Sequence, residues 1–158
     1  MTAPERPAEG RWEDGPPGPA SGLQELRAMM ARGVRPPMME LMDIDLVEAE
    51  EGRVVFAATP GRSVYNPLGI AHGGFAATLL DSACGIAVHS AMKALRNCVT
   101  LELKVAYHRA MSEATGPVRA IGTVLSMGNS VAYAEARLVD AEERLHASAT
   151  STLLMTDR

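Results

Sequence analysis

The clearest hydrophobic pattern in this chain is a helical stripe that begins just after a pair of glycines. Apolar residues recur there at spacings of three and four and predict one long helix that ends at about Leu95. Only Asp81 is charged between Gly73 and Met92. A buried carboxylate is costly unless it is paired, hydrogen-bonded or protonated, so Asp81 is a candidate functional residue. The stripe consists of Phe75, Ala76, Leu79, Leu80, Ala83, Ile86 and Ala87.

Six shorter segments have the apolar pattern of β-strands. Two precede the helix, at residues 41–50 and 53–59, and Glu51-Gly52 between them is a typical hairpin signal. Four follow the helix, at residues 99–109, 116–127, 131–140 and 143–155. Consecutive hairpins predict an antiparallel meander. Strands before and after one apolar helix in the sequence predict an α+β fold in which the sheet curls around the helix.

Residues 1–20 differ from the rest of the chain in composition. They are rich in proline, glycine and charge, which is typical of a disordered tail. We therefore expect a single folded domain at residues 21–158. Trp12 is either a stray aromatic side chain in this tail or a group that docks on the folded body or on a neighbouring subunit.

The start of the domain has the signature of a short helix. Ser21 and Gln24 have the spacing of a capping box, and Gly33 is a typical stop after about Ala31. The dipeptide Pro36-Pro37 is expected to end any helical structure. Five methionines in this region form either core packing or a lining that adapts to varied apolar ligands: Met29, Met30, Met38, Met39 and Met42.

Composition and charge exclude several classes of function. The 158 residues carry a net charge of −4, so the sequence lacks the excess of basic residues that is typical of nucleic-acid-binding proteins. No window of about 18 residues is continuously apolar, and the N-terminus lacks the pattern of a secretory signal. We therefore expect a cytoplasmic protein without a membrane span. Cys84 and Cys98 are expected to be free buried thiols, and no cysteine or histidine spacing matches a metal site.

The segment before the long helix suits close approach of another molecule to the backbone. Asn66-Pro67-Leu68-Gly69 is a tight-turn sequence, and His72-Gly73-Gly74 follows it. The first N–H groups of a helix lack internal partners and lie at the positive end of the helix dipole. The amides of Gly73 and Gly74 are thus placed to polarise a carbonyl, as in an oxyanion hole. His72 either contacts the substrate or supports the loop, and Asn66 either bonds the carbonyl or a water or simply forms the turn.

Asp81 and these amides are too far apart to act together within one helix. Asp81 follows Gly73 by eight residues, which is roughly 12 Å along the helix axis. A nucleophile must come within about 3–3.5 Å of the carbon that it attacks. A second copy of the helix, antiparallel across a twofold axis, would bring each Asp81 toward the partner's glycines. The sequence therefore predicts a homodimer with two composite sites.

The set Asn66, Gly69, His72-Gly73-Gly74 and Asp81 resembles the signature of hotdog-fold acyl-CoA thioesterases. The resemblance is greatest to the PaaI-like branch, which has phenylacetate-pathway and 4-hydroxybenzoyl-CoA thioesterases as relatives, and it covers about residues 21–155. It implies a hotdog fold and hydrolysis of an aryl- or medium-chain acyl-CoA without a metal or other cofactor. Asp81 would be the general base or the nucleophile, and the homodimers would pair into tetramers.

Further residues acquire expected roles beside this motif. Phe75 indicates an apolar acyl pocket, and Thr100 would help to hold the acid or its water, unless it is present only for its β-propensity. The turn at Asn129 and Ser130 would lie at the nucleotide end of CoA, where relatives commonly carry a basic residue that this chain lacks. The remaining histidines, His89, His108 and His146, are expected to be structural or surface residues. Five basic residues are either phosphate ligands or solvated strand ends: Arg62, Lys104, Arg109, Arg119 and Arg137.

Two other functions are compatible with the same residues. A hotdog hydratase or dehydratase would use His72 and Asp81 together in one site, although the double-glycine helix start and the lone helical acid favour hydrolysis. A non-catalytic acyl-CoA-binding protein is the second alternative. Asp81 argues against it, because pure binding gains nothing from a buried acid.

Overall fold

A six-stranded antiparallel sheet around one long helix forms the part of the chain that the computed structural model describes, residues 21–157. This architecture confirms the predicted α+β class. The predicted tail, including Trp12, lies outside the described residues. In that described part, no helix is both long and apolar enough to cross a membrane. The elements are α1 (Gly22–Ala31), α2 (Pro37–Met42), β1 (Ile44–Glu50), β2 (Arg53–Ala58), α3 (Gly73–Ala91), β3 (Asn97–Tyr107), β4 (Val118–Met127), β5 (Val131–Asp140) and β6 (Leu145–Thr156).

The core of the fold lies along α3. Its apolar stripe packs against β2, β4 and β5 and is buried, as predicted, except for Ile86, which is half-buried. Helix and sheet are in close contact at Gly122 on β4, where a Cβ atom would lie 2.1 Å from the carbonyl oxygen of Ala83. The helix ends at Ala91 rather than at the predicted Leu95. Met92 already has extended backbone angles, and its carbonyl oxygen accepts a hydrogen bond from the N–H of Gly22.

The strand order β1-β2-β4-β5-β6-β3 makes the predicted meander only partly correct. Strands β4, β5 and β6 do form consecutive hairpins, and β1 pairs with β2 across the predicted turn. The expectation that β3 forms a hairpin with β4 is wrong, because β2 and β5 occupy the two sides of β4. Strand β3 pairs instead with β6 and lies at one edge of the sheet.

The cap predicted for the first helix is present. The Ser21 hydroxyl oxygen accepts a hydrogen bond from the N–H of Gln24 at 3.4 Å. Helix α1 ends at Ala31, and Gly33 after it has a φ of +64°. This is the left-handed conformation that favours glycine at a helix stop.

Two expectations for the next segment are wrong. Pro36-Pro37 does not end helical structure, because Pro37 occupies the first turn of α2. Proline is tolerated there, since the first N–H groups of a helix have no internal partner. Leu41 and Met42 therefore belong to α2, and β1 starts at Ile44 rather than at residue 41.

Candidate active site

Asn66 holds the loop before α3 in a compact turn. Its side-chain Oδ1 accepts hydrogen bonds from the N–H groups of Leu68 at 2.9 Å and Ile70 at 3.4 Å. Gly69, with a φ of +76°, donates its N–H to the Asn66 carbonyl oxygen at 3.0 Å. Asn66 therefore shapes the loop through its oxygen atoms, and its side-chain NH₂ group makes no hydrogen bond within residues 21–157.

His72 is the N-cap residue of α3. Its Nδ1 accepts a hydrogen bond from the N–H of Gly74 at 2.8 Å, and its backbone N–H donates to the Val64 carbonyl oxygen at 2.8 Å. Because Nδ1 is an acceptor here, the neutral ring carries its proton on Nε2. In the protomer the Gly74 amide is thus already paired by the imidazole.

Gly73 supplies an unpaired amide at the start of α3. Its N–H has no hydrogen-bond acceptor in the described part of the chain, whereas the N–H groups of Gly74 and Phe75 both donate to His72. The first turn of a 19-residue helix is the positive end of its dipole. The free donor at Gly73 can therefore stabilise negative charge that develops on a bound oxygen atom.

Side chains of the same chain leave little room for a Cβ atom at residues 73 and 74. A Cβ atom at Gly73 would lie 3.1 Å from the Cζ and Oη atoms of Tyr107, and one at Gly74 would lie 2.9 Å from Nδ1 of His72. The Tyr107 hydroxyl also donates a hydrogen bond to the Gly73 carbonyl oxygen at 3.0 Å. From the sequence, the glycines are expected only to allow the close approach of another molecule, and Tyr107 has no expected role.

The amide end of α3 opens onto a cavity of about 330 Å³. Three predicted site residues, Asn66, His72 and Gly73, come together in its wall. Its apolar lining includes Ile70 and Met111. The wall also contains polar side chains that sequence reasoning did not place here: Tyr107, His108, Arg109 and His146.

Asp81 is half-buried, two turns further along α3, and does not line this cavity. It accepts a hydrogen bond from the Thr100 hydroxyl on β3 at 2.8 Å. The two residues that the family resemblance brought together are therefore in contact. Asp81 lies roughly 12 Å from Gly73 along the helix axis, so a single protomer does not bring the acid to the amide.

Neither cysteine adds a nucleophile beside Asp81. Both are free; Cys84 is buried as expected, whereas Cys98 is only half-buried. Burial and, secondarily, the negative charge of Asp81 raise the pKa of Cys84 to about 12 and the pKa of Cys98 to about 11. Both thiols are therefore protonated at neutral pH and poorly nucleophilic.

A buried hydrogen bond between His146 and Asp140 supports the wall of the cavity. His146 Nε2 lies 2.8 Å from Asp140 Oδ2, and Nδ1 lies 3.4 Å from the Arg109 carbonyl oxygen. The carbonyl oxygen of His146 accepts the N–H groups of His108 and Arg109. Burial opposes the ionisation of Asp140, but hydrogen bonds from His146 and Arg144 outweigh this effect and hold the pKa of Asp140 below its usual range.

The predicted turn residues Asn129 and Ser130 lie at the other end of α3. They line a second cavity, of about 570 Å³, together with Lys93 and Arg96. The Arg96 guanidinium donates hydrogen bonds to the carbonyl oxygens of Asn129 and, at 3.1 Å, Met155. A positive charge, which is paired with Asp157 at 3.2 Å, therefore lies beside the turn that itself carries none. Sequence reasoning missed Arg96 because it lies 33 residues from Asn129 along the chain.

The remaining predicted residues do not converge on one place. Phe75 is only 2% exposed, and its ring belongs to the hydrophobic core. Arg62 and Arg119 form ion pairs with glutamates on the surface, and Lys104 and Arg137 are exposed on their strands. Of the five basic residues considered as phosphate ligands, Arg109 alone lines the cavity at the amide end.

The curled antiparallel sheet, the enclosed long helix and its double-glycine start define a hotdog-fold protein. A comparison with known families gives the same class. The profile of the thioesterase superfamily matches residues 68–147, about half of the chain, and the chain belongs to this family of thioester hydrolases.

Individual proteins in this family share recognisable similarity with the chain. A Halobacterium salinarum protein that is named an esterase is 38% identical over 84 residues, which span 52% of this chain and 54% of that protein. The 1,4-dihydroxy-2-naphthoyl-CoA hydrolase of Listeria monocytogenes is 28% identical over 68% of this chain and 86% of its own length. A mutant structure of the phenylacetic acid degradation protein PaaI from Thermus thermophilus superposes with a TM-score of 0.70 at 25% identity, covering 77% of this chain and 100% of that one.

Proposed function

We propose that this protein hydrolyses an acyl-CoA thioester at composite sites built by two copies of the chain. The observation that carries the proposal is the unpaired Gly73 amide, which lies at the positive end of α3 and lines a cavity. Family membership supports the thioester as the reacting group. The name of the Listeria relative supports CoA as the thiol and an aryl acyl group as one substrate class. Medium-chain acyl groups are the other class that we propose.

The free edge of β3 supports the pairing of two copies. Unpaired edge strands are templates for pairing with another chain. Three large side chains on β3, Val99, Leu101 and Tyr107, are 51%, 59% and 58% exposed. A second sheet edge added there would cover backbone groups and apolar surface together.

The contacts of β3 with α3 indicate which register would build the site. Thr100 on this strand bonds Asp81, and Tyr107 bonds Gly73. In an antiparallel pair of β3 strands with its twofold axis midway between residues 100 and 107, Thr100 of one subunit lies opposite the partner's Tyr107. That register brings each Asp81 toward the partner's Gly73 amide.

In the proposed reaction, the thioester carbonyl oxygen accepts a hydrogen bond from the Gly73 N–H. Asp81 of the other subunit, with one oxygen bonded to Thr100, keeps its second oxygen for chemistry. It either removes a proton from a water that attacks the carbonyl carbon, or attacks that carbon itself to form a mixed anhydride that water then opens. In both routes the carbon–sulfur bond breaks, the acid is released, and CoA leaves as a thiolate that takes a proton from solvent.

The nucleotide end of CoA is proposed to lie at the second cavity. Asn129 and Ser130 contribute hydrogen-bonding groups there, and positive charge comes from Lys93 and Arg96, which are ion-paired with Glu51 and Asp157. Exchange of these carboxylates for phosphate would let the two cations take the place of the basic residue that the turn lacks.

The direct test is a thiol-release assay on a panel of acyl-CoAs, with wild type beside Asp81→Ala and the shape-conserving Asp81→Asn. We expect wild type to hydrolyse part of the panel and both variants to lose about 10²–10⁴-fold in kcat, the usual contribution of such a group. Circular dichroism should show that both variants remain folded.

Other outcomes of this assay would point to other functions. Saturable binding of acyl-CoA without thiol release would show a non-catalytic binding protein. Loss of the absorbance of an enoyl-CoA without thiol release would show a hydratase. Unfolding of both Asp81 variants would show that the acid is structural. The assembly, proposed as a dimer that pairs into a tetramer, is measured by light scattering.

A further inference from the structure

We infer that Tyr107 is a positioning residue that holds the Gly73 amide in its reactive orientation. The inference rests on the proposed function, because it concerns the donor that would polarise the thioester carbonyl. It starts from one contact: the Tyr107 hydroxyl donates to the Gly73 carbonyl oxygen at 3.0 Å.

The start of α3 needs support from outside the helix. Glycine costs about 1 kcal/mol relative to alanine in a helix, and α3 begins with two glycines. Helix ends also fray. A hydrogen-bond donor stabilises a developing oxyanion best when it is fixed before the reaction, so a frayed Gly73 would be a poor donor.

The other side-chain bonds of this turn are local. Nδ1 of His72 accepts from Gly74, two residues away, and the Thr78 hydroxyl donates to the Gly74 carbonyl oxygen, four residues away. Both can form in an isolated helix end and follow it when it moves. Tyr107 is 34 residues from Gly73 and belongs to β3. Its bond therefore ties the first turn of α3 to the sheet.

Steric contact adds to the hydrogen bond. Tyr107 Cζ and Oη would both lie 3.1 Å from a Cβ at Gly73, so the end of the ring rests against the Gly73 backbone. The side chain as a whole is 58% exposed. Core packing therefore does not explain a tyrosine here, and loss of its hydroxyl should leave the fold intact.

Strand β3 contacts both groups of the proposed chemistry, the acid and the residue that carries the free amide. Near its start, Thr100 holds the carboxylate of Asp81; at its end, Tyr107 holds the residue whose amide is free. Both contacts are hydroxyl groups that donate to an oxygen atom of α3. Tyr107 is thus the counterpart, on the amide side, of Thr100 on the acid side.

The test compares Tyr107→Phe with wild type in the thiol-release assay and in hydrogen exchange of the Phe75 amide measured by NMR, because the bond from Phe75 N–H to the His72 carbonyl oxygen closes the first turn of α3. We expect kcat to fall about 5- to 50-fold, less than the 10²–10³-fold loss of an oxyanion donor itself, with KM within about twofold. The Phe75 amide should exchange faster with solvent, since the first turn opens more often. Tyr133→Phe is the matched control, since Tyr133 is 50% exposed on β5 and lines neither cavity, and it should change neither quantity.

Each contrary outcome has a distinct meaning. An active wild type with an equally active Tyr107→Phe variant overturns the inference and leaves the proposed function in place. A lower kcat with unchanged exchange at Phe75 overturns the positioning role, because Tyr107 would then act on the substrate directly. A wild type that releases no thiol overturns the proposed function, and unchanged exchange at Phe75 in the variant would then show separately that Tyr107 does not hold the first turn of α3.

Discussion

The two ends of α3 differ in the contacts that they make with the rest of the domain. At the C-terminal end, Gly22 donates its N–H to the Met92 carbonyl oxygen, and Glu25 pairs with His89 at 2.7 Å. A Cβ at Gly22 would lie 1.8 Å from the His89 carbonyl oxygen, so α1 is in direct backbone contact with α3. Ser90 adds a bond to the hairpin between β1 and β2. Helix α1 and the hairpin between β1 and β2 therefore hold the C-terminal end of α3, which we call the clamped end.

The N-terminal end has bonds too, but they leave a donor unused. His72 pairs the Gly74 amide and Tyr107 bonds the Gly73 carbonyl oxygen, yet the Gly73 N–H stays free beside a cavity. Glycines make this end intrinsically weak as a helix. Contacts with other elements therefore stabilise α3 mainly at its C-terminal end, whereas its proposed chemistry uses the N-terminal end.

Between the two ends of α3, the largest expected effect is the loss of activity when the free amide of Gly73 is removed. Proline has no N–H and is well accepted at the first position of a helix. His72 before it already has the extended angles that proline requires, with φ −62° and ψ 140°. We expect Gly73→Pro to reduce kcat in the thiol-release assay by about 10²–10³-fold. Gly73→Ala is the control, because it meets Tyr107 with the same Cβ atom but keeps the N–H, and it should be much more active.

The same variant tests whether two chains share each site. Co-expression of Gly73→Pro with Asp81→Ala gives mixed dimers in which one of the two sites has both an intact amide and an intact acid. With random pairing we expect recovery of about a quarter of the wild-type activity. No recovery from folded, mixed dimers would show that each site lies within one chain.

The features of α3 that can be predicted from the sequence are those formed by residues close together in the chain. The turn at Asn66, the glycines and the apolar stripe of α3 lie within one segment, so their roles as loop, helix start and core follow from spacing. The position of β3 depends on which strands already flank β4, and no local pattern encodes that. The contact between Tyr107 and Gly73 could therefore not be predicted. The hydrogen bond between His146 and Asp140 was missed for a different reason: it is local, six residues apart across the predicted hairpin of β5 and β6, but a hairpin pattern alone does not say which side chains bond each other.

A substitution at the C-terminal end of α3 should lower the stability of the protein and leave its activity unchanged. Glu25 and His89 side chains are 11% and 13% exposed, so their bond is largely shielded from water. Glu25→Gln keeps the shape but removes the charge, and we expect the free energy of unfolding in urea to fall by about 1.5–3 kcal/mol, the range for bonds to charged groups. The kcat of the folded variant should be unchanged. A stable variant with reduced kcat would contradict the separation of the two ends.

The smallest effect should come from Ser90, which is 2% exposed near the clamped end. Its hydroxyl oxygen accepts the Gly52 N–H at 2.9 Å, and its proton is donated to the Ala87 carbonyl oxygen at 2.7 Å. Ser90→Ala leaves the Gly52 amide without this acceptor, so the free energy of unfolding should fall by about 1 kcal/mol, typical of one hydrogen bond. Ser82→Ala is the control, because Ser82 lies on the same helix without a hydrogen bond from its hydroxyl in the described residues, and it should cost less than about 0.5 kcal/mol. Equal urea midpoints for the two variants would mean that the hairpin bond contributes nothing to the clamp, which would then rest on α1 alone.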